Sequence, residues 1–334
     1  MIVILGASGF IGSYLIEELL SHNEKVIGTY FGNKPNYSYP NLEFIQLDIS
    51  KQEDYDKLPQ KDVSAVIMFA GRLPANVKMN TPYDDSKEYV NTNILGTLNA
   101  LEYCRKNKVK TFLYTTSYSD VLKHASEGVP IKADASKMLN YTGDHSAYII
   151  SKVCAVDYAL HYMAEYGLQS IIFRLPPVYG VGPHGIIYVD GKVYKSGIQT
   201  FIDKARKGED IELWGDKNLY RDIVYVKDVA KACYQAINSP KAKGIYNISN
   251  GEKLYLYDQI KTIIELFCEK KKSNIVLRPE KENNSPSYVL DISKSIQDFG
   301  FSPKYKDFKK MMLDYKSVLK KGFFNSLFDN RRKD

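Results

Sequence analysis

The chain has 334 residues and a net charge of +7, with 44% hydrophobic and 25% charged side chains, as in an ordinary soluble globular protein. No arginine-and-aromatic stripe indicates nucleic-acid binding, and no apolar run approaches the roughly 20 residues of a membrane span. The positive charge fits either an acidic ligand such as a nucleotide or simply a lysine-rich surface. The four cysteines form no Cys-x-x-Cys pair, and the short apolar N-terminus has no basic residue before it. We therefore expect a cytoplasmic protein with reduced cysteines, no signal peptide and no metal site.

The first predicted unit is a strand, a glycine-rich turn and a helix. Residues 2–5 are a continuous apolar run, Gly6, Gly9 and Gly12 follow, and residues 10–20 have one apolar face at helical spacing. Such a turn lets the backbone approach a pyrophosphate at the N-terminus of the helix. The pattern predicts a dinucleotide site, and a merely tight strand-to-helix turn is the alternative.

Further strands and helices alternate along the chain. The strands are predicted at 25–30, 44–49, 63–71, 109–115 and 168–175, and long helices at 86–107 and 146–166. Buried strands that alternate with helices predict an α/β protein with a Rossmann-type, doubly wound parallel sheet. Ligands of such sheets bind at the carboxyl ends of the strands, where the polar loop 118–144 is expected to act as a lid or substrate loop.

The end of the second strand bears on the choice of cofactor. An NAD site usually places an acidic residue there for the ribose hydroxyls, whereas this chain has Tyr30 and, shortly after it, Lys34. The missing carboxylate removes repulsion against a 2′-phosphate, so the sequence slightly favours NADP(H). Lys34 as a solvated loop lysine is an equally good interpretation.

Ser117, Tyr148 and Lys152 form the candidate catalytic group. Tyr148 and Lys152 lie four residues apart, which places both on one face of a helix. A nearby ammonium should lower the phenol's pKa from about 10, and Ser117, at the end of the fifth strand, could share the substrate oxygen's hydrogen bond. The three can move a proton on and off a C–OH group while a nicotinamide exchanges a hydride with the same carbon. Tyr-x-x-x-Lys alone is also common on surface helices.

Several motifs occur together in a single order along the chain. They are Gly6-x-x-Gly9-x-x-Gly12, Asp48-Ile49, Ala70-Gly71, Asn93-x-x-Gly96-Thr97, Thr116-Ser117, Tyr148-x-x-x-Lys152, Arg174-x-x-x-Val178-Tyr179-Gly180, Arg221-Asp222, Asp228 and Tyr246-Asn247. With them the chain resembles the extended short-chain dehydrogenase/reductases, in the NAD(P)-dependent nucleotide-sugar epimerase/dehydratase branch. The resemblance implies a homodimer formed through the helices at 86–107 and 146–166.

The resemblance also implies roles for individual residues. Ser117, Tyr148 and Lys152 would be catalytic, while Arg221 and Arg278, with Ser117, would bind the substrate. A surface ion pair is the alternative for each arginine. The residues implied to bind the cofactor are Gly6, Ser8, Gly9, Phe10, Ile11, Gly12, Tyr30, Lys34, Asp48, Ile49, Ala70, Gly71, Asn93, Tyr148, Lys152 and Pro176.

The same resemblance divides the chain into two parts. Residues 1–175 and 222–248 would form the NAD(P)-binding Rossmann domain, and residues 176–221 and 249–334 a smaller α+β domain that binds the nucleotide sugar. The basic, aromatic tail begins with a helix predicted at 305–321 and continues to residue 333. The tail could rest on a membrane surface, but packing of its helix on its own domain is favoured.

Departures from the family pattern narrow the predicted reaction. Dehydratases of this branch carry a Thr-Asp-Glu run where this chain has Ser117-Tyr118-Ser119, and Asp120 is displaced by one position. Pro177 replaces an asparagine that often contacts the substrate. We therefore predict hydride transfer at C4 of a nucleotide-activated sugar, by an epimerase or a 4-keto reductase, and rank dehydration low. The rival is a cofactor sensor or scaffold that kept the fold. The sequence does not specify the nucleotide or the sugar.

Overall fold

A computed structural model describes residues 1–74, 86–143, 145–182, 186–189, 192–269, 273–283 and 286–322. The tail residues 323–333, which the sequence predicts to lie either on a membrane surface or on their own domain, lie outside these ranges. Among the described residues, none of the helices combines the length and the apolar character needed to cross a bilayer.

Strands and helices alternate through the first half of the chain, as expected. The strands are β1 (Ile2–Leu5), β2 (Val26–Tyr30), β3 (Leu42–Gln46), β4 (Ala65–Met68), β5 (Thr111–Ser117), β6 (Gln169–Leu175), β7 (Val178–Tyr179), β8 (Ile186–Val189), β9 (Lys192–Lys195), β10 (Ile211–Trp214), β11 (Tyr220–Arg221), β12 (Val224–Tyr225), β13 (Gly244–Asn247), β14 (Leu254–Tyr255) and β15 (Ile275–Arg278). The helices are α1 (Phe10–Ser21), α2 (Ser86–Tyr89), α3 (Gly96–Lys106), α4 (Ser146–Tyr166), α5 (Gly197–Lys207), α6 (Val226–Ile237), α7 (Leu256–Phe267), α8 (Ser293–Phe299) and α9 (Phe308–Lys321).

The central sheet has seven strands in the order β13-β6-β5-β4-β1-β2-β3, and every neighbouring pair is parallel. The predicted Rossmann-type α/β sheet is therefore confirmed. The chain leaves β1 in one direction and later resumes on its other side with β4, so the strand order reverses between these two strands. This reversal opens a crevice at their carboxyl ends, which is where open α/β sheets bind ligands.

Alternate side chains of the central strands fill separate cores on the two faces of the sheet. Ile2 and Ile4 of β1 belong to the core that also contains residues of α1 and α6. Val3 and Leu5 belong to the core shared with α3 and α4. A strand buried on both faces has no polar alternation, which explains the continuous apolar run from which β1 was predicted.

The long helix predicted at 86–107 is not regular. Between α2 and α3 the backbone forms a π-helical segment, Val90–Leu95, and the buried Asn93 lies within it. π-Helical segments are rare and occur often at functional sites. No feature of the periodicity distinguishes such a segment from an ordinary helix.

The rest of the chain forms a smaller α+β region beside the sheet. Its strands pair as β10 with β15, β11 with β14, β7 with β12, and β8 with β9. Helix α7 packs against α5 and α9, and Phe308, Met311, Met312 and Tyr315 of α9 are buried. The helix predicted at 305–321 thus packs on its own domain over 308–321. The chain returns to the central sheet for β13, but the exact division into two domains stays a prediction.

Candidate active site

A cavity of about 600 Å³ lies at the carboxyl ends of the central strands. The turn after β1, the residues after β4 and the end of β5 line it, together with residues from the start of α4. Among the residues predicted to bind cofactor or substrate, it brings together Gly6, Ser8, Gly9, Phe10, Ile11, Gly12, Tyr30, Asp48, Ile49, Ala70, Gly71, Ser117, Tyr148, Lys152 and Pro176. Lys34, Asn93, Arg221 and Arg278 are not among the lining residues.

The glycine turn fits a dinucleotide because its backbone is too closely packed for side chains. Gly6 has a φ of +86°, and a Cβ atom there would lie 2.6 Å from the Ala70 nitrogen. A Cβ atom on Gly12 would lie 2.4 Å from the Gly6 carbonyl oxygen. The Gly6 amide is held by the Thr29 hydroxyl of β2, at 3.1 Å. The turn therefore presents backbone to the cavity at the N-terminus of α1, as a pyrophosphate site requires.

The cofactor-specificity region is only partly brought to the cavity. Tyr30 and the neighbouring Phe31 line it, whereas Lys34 is exposed and does not. Asp48, after β3, also lines the cavity, and its carboxylate accepts hydrogen bonds from the Ser50 amide and hydroxyl at 3.0 and 2.7 Å. Lys34, which was predicted to bind the cofactor, therefore does not line the cavity.

Asn93 acts on the cavity walls rather than lining them. Its Oδ1 accepts from the Arg72 amide at 2.7 Å, and its Nδ2 donates to the Arg72 carbonyl at 3.1 Å and to the Ser151 hydroxyl at 2.9 Å. Ser151 in turn donates to the Tyr148 carbonyl at 2.7 Å. Asn93 therefore joins the chain after β4 to the helix that carries Tyr148.

Ser117 has a partner that the sequence did not indicate. Its hydroxyl donates to the Ser119 hydroxyl at 3.0 Å, and the Ser119 amide donates back to Ser117 at 3.3 Å. Ser119 lies in a 3₁₀ turn, Tyr118–Asp120, that follows β5 directly. This turn fixes the Ser117 hydroxyl at the cavity wall.

The pKa values of Tyr148 and Lys152 differ from expectation. Burial, with a smaller effect from Tyr89, raises the pKa of Tyr148 above its usual value of about 10. Burial lowers the pKa of Lys152 to about 7, and its ammonium lies 3.9 Å from the ring centroid of Tyr114. The prediction that Lys152 brings the pKa of Tyr148 below its usual value is therefore wrong. The loss of hydration outweighs a cation that faces another ring.

The two arginines predicted to bind substrate lie outside the cavity walls. Arg221 of β11 opposes by its charge the burial that raises the pKa of Tyr179 to about 12. It has the same opposing effect on Tyr288, whose ring stacks on that of the cavity-lining Tyr118 with centroids 4.8 Å apart. Arg278 of β15 pairs with Glu212 at 3.1 Å, and its side chain is 43% exposed.

Comparison with known proteins decides the family. A family model described as the NAD dependent epimerase/dehydratase family matches residues 2–249. The chain belongs to this family. It is 31% identical over 310 residues to a putative UDP-glucose 4-epimerase of Methanocaldococcus jannaschii, covering 91% of this chain and 93% of that protein.

Solved structures resemble almost the full length of the chain. The enzyme WbmH of Bordetella bronchiseptica, solved in complex with NAD⁺, has a TM-score of 0.69 at 25% identity, and the match covers 95% of this chain and 98% of that chain. The UDP-N-acetylglucosamine 4-epimerase of Methanobrevibacter ruminantium, in complex with UDP-N-acetylmuramic acid, has a TM-score of 0.78 at 22% identity. The coverage there is 96% of this chain and 98% of the other. The family requires a nicotinamide dinucleotide, and the glycine turn above fits one.

Two buried residues near the active site of this epimerase/dehydratase family member, Arg174 and Asp120, bind each other and do not line the cavity. Arg174 of β6 pairs with Asp120 through two contacts, at 2.9 and 3.1 Å, and also donates to the Ala133 carbonyl and the Asn247 side chain. Arg174 is 1% exposed. Asp120 is therefore committed to a buried ion pair and does not line the cavity, where a dehydratase would need its acid.

Proposed function

We propose that the chain is an NAD(P)-dependent epimerase that inverts C4 of a nucleotide-activated sugar. One observation carries this proposal: a single cavity holds the glycine turn for a dinucleotide together with Ser117, Tyr148 and Lys152. The similarity to a putative UDP-glucose 4-epimerase of Methanocaldococcus jannaschii supports a UDP-hexose as the first substrate to test. We also propose that the protein works in the cytoplasm.

In this proposal Tyr148 exchanges the proton of the C4 hydroxyl group. The bound nicotinamide supplies the acceptor and donor for the hydride at the same carbon. Ser117 donates a hydrogen bond to the C4 oxygen when its hydroxyl turns from Ser119 towards the cavity. Burial disfavours the phenolate form of Tyr148, and the positive charge of Lys152 opposes this effect. Between the two proton transfers the 4-keto sugar rotates in the site, so that C4 accepts the hydride back on its opposite face.

The nucleotide half of the substrate would lie towards the smaller region. Arg221 is the better-placed of the two proposed pyrophosphate ligands, because its neighbour Tyr288 contacts the cavity wall through Tyr118. Arg278 would have to leave or share its ion pair with Glu212 to reach the same phosphates. Both assignments rest on guanidinium chemistry, which suits phosphate oxygens.

The second candidate is a 4-keto reductase that uses NADPH. One observation favours it: Tyr30 and Phe31 line the cavity where an NAD site usually has a carboxylate. A reductase would deliver one hydride and release the oxidised cofactor. Dehydration stays disfavoured because Asp120 is held by Arg174. A sensor or scaffold is disfavoured because the chain retains both Tyr148 and Lys152 in the cavity.

We further propose a homodimer formed by α2, α3 and α4. Val90 and Leu95 of the π-helical segment between α2 and α3, and Ile150 and Tyr158 of α4, are large apolar residues that are 49%, 42%, 40% and 39% exposed. Apolar side chains that cluster on neighbouring helices favour an interface. A solution mass of twice that of one chain, measured by light scattering, supports the dimer, and the mass of one chain contradicts it.

The test of the function begins with the cofactor and the base. The purified protein is analysed for bound NAD or NADP and assayed with UDP-, GDP-, CDP- and dTDP-hexoses. Retained NAD with C4 inversion supports the epimerase, whereas NADPH-dependent reduction of a 4-keto sugar supports the reductase. Tyr148→Phe should lower turnover by about 100-fold or more and leave dinucleotide binding intact.

Tyr166→Phe is the matched control, since Tyr166 lies at the end of the same helix, is 51% exposed and does not line the cavity. This variant should keep wild-type activity. Wild-type turnover by Tyr148→Phe would show that another group is the base.

A further inference from the structure

Lys152 is a buried cation without an anionic partner among the described residues that surround it. It is 6% exposed, and burial alone lowers its pKa, to about 7. An ammonium in such a place is expected to lose its proton or to be held by another electron-rich group. The face of the Tyr114 ring lies 3.9 Å from its Nζ atom, which makes no hydrogen bond or ion pair with the described residues.

Tyr114 is fixed in place by the sheet. It is fully buried in β5, three residues before Ser117, between Met68 of β4 and Ile172 of β6. Its ring faces α4, whose residues fill the same core. The position of the ring is therefore set by the seven-stranded sheet rather than by Lys152.

Among the residues that the structure describes, no charged side chain pairs with Lys152 in place of this ring. The titratable groups whose charges would act on Tyr114 are Tyr148 and Cys154 of α4, and Tyr89 of α2 acts in the same way on Tyr148. Burial raises the pKa values of Tyr148, Tyr114 and Cys154, so none is an anion at neutral pH. Asp120, in the turn after β5, is paired with Arg174.

We propose that Tyr114 is a positioning residue of the active site: its ring face keeps the Lys152 side chain charged and in place, one helical turn from Tyr148. The attraction between a cation and an aromatic face is strongest where both are removed from water. The effect on the charge of Lys152 stands on the geometry alone. Its consequence for turnover rests on the proposed function.

The hydroxyl group of Tyr114 is not part of this role, which gives a matched pair of variants. Tyr114→Phe keeps the ring face and should behave as the wild type. Tyr114→Leu removes the face, and a chain with pentafluorophenylalanine in place of Tyr114 keeps the size of the ring but withdraws its electrons. The fluorinated chain retains the packing of the core, so it tests the proposal even if Tyr114→Leu does not fold.

The measurement is an NMR titration of ¹³C-labelled lysine in the protein as purified, with the Lys152 signal assigned from its absence in Lys152→Met. The midpoint should be the same in the wild type and Tyr114→Phe. It should fall by about one pH unit in Tyr114→Leu and in the fluorinated chain. Because the signal comes from the lysine itself, the result does not depend on any enzymatic activity.

Phe112→Leu is the control for packing, because Phe112 is equally buried in β5 and its ring lies beside that of Tyr114, with centroids 6.3 Å apart. This variant should leave the Lys152 midpoint unchanged. A midpoint that does not move in Tyr114→Leu and the fluorinated chain overturns the proposal, and so does an equal shift in Phe112→Leu.

Turnover provides the second reading. If Tyr148→Phe has shown that the proposed base is correct, the two ring-weakened variants should lose up to about ten-fold in kcat at neutral pH while Tyr114→Phe keeps it. Unchanged kcat together with a shifted midpoint would overturn the role of Tyr114 in turnover and leave the proposed function standing.

Discussion

The protein buries two cations on neighbouring elements and treats them in opposite ways. Arg174 of β6 meets a carboxylate, a carbonyl and an amide oxygen within hydrogen-bond distance. Lys152 of α4 meets an aromatic face at the wall of a cavity. In the first arrangement the guanidinium of Arg174 is fully engaged by protein groups and is not available to a ligand. The second leaves the charge on an aromatic ring, with no anionic partner among the described residues, which is typical of sites that bind or react.

The largest expected effect comes from breaking the satisfied pair. Arg174→Met leaves Asp120 buried without its partner, so we expect the free energy of unfolding to fall by about 3–5 kcal/mol, measured by urea denaturation. Arg174→Met combined with Asp120→Leu should recover most of this loss, because no charge is then left unpaired.

Arg105→Met is the control for this prediction, since Arg105 pairs with Glu102 on the surface and its loss should change stability little. A small effect of Arg174→Met would mean that water reaches Asp120, and the contrast with Lys152 would disappear.

Asp222 extends the comparison to a buried anion. Its carboxylate accepts from the backbone amides of Asn250, Gly251 and Leu290 at 3.1, 3.2 and 2.9 Å, yet burial raises its pKa to about 7. The folded state then binds the proton more tightly than the unfolded state, whose pKa is about 4. The free energy of unfolding should therefore fall as the pH rises from about 4 to about 7, by at most about 4 kcal/mol.

Denaturation measured across this pH range in the wild type and in Asp222→Asn checks the prediction. The slope should be smaller in the variant, which cannot ionise. A stability that rises with pH in the wild type, and not in the variant, would show that the three amides keep Asp222 ionised instead.

The smallest expected effect on stability comes from the unsatisfied cation. Lys152→Met should lower turnover by about 100-fold, yet leave the free energy of unfolding unchanged or higher, because a costly buried charge is removed. Lys294→Met is the matched control: Lys294 also lies over a tyrosine ring, 3.5 Å from the Tyr246 centroid, but its side chain is 42% exposed and pairs with Asp298. A large loss of stability in Lys152→Met would place Lys152 with Arg174 among the structural charges.

Local patterns predicted much of this architecture. The apolar run before Gly6 and the glycine spacing gave the first strand, turn and helix because backbone approach and burial on both faces leave a direct mark on residue type. Ser117 was predicted because it ends a strand, and Tyr148 and Lys152 were predicted because their four-residue spacing places both on one face of a helix. All of them line the cavity.

What the sequence could not provide depends on contacts between distant residues. The pairing of Arg174 with Asp120 joins positions 54 residues apart. The pKa values depend on burial, which no local pattern reports, so the expected acidic Tyr148 was wrong. The π-helical segment was missed because its residues have ordinary helical spacing. Ser119 could have been noticed as the second hydroxyl after β5, but its bond to Ser117 needed the 3₁₀ turn.

The position of Asn93 has a consequence for mutational scans of this protein. Its three hydrogen bonds all go to other parts of the chain, on both sides of the cavity. A scan scored by product formation alone would therefore rank Asn93→Ala beside the reacting groups. The same variant should also be cleaved faster by proteases, because the segment after β4 is no longer held to α4. A loss of activity on substitution of Asn93 would therefore not identify it as a residue that transfers a proton or a hydride.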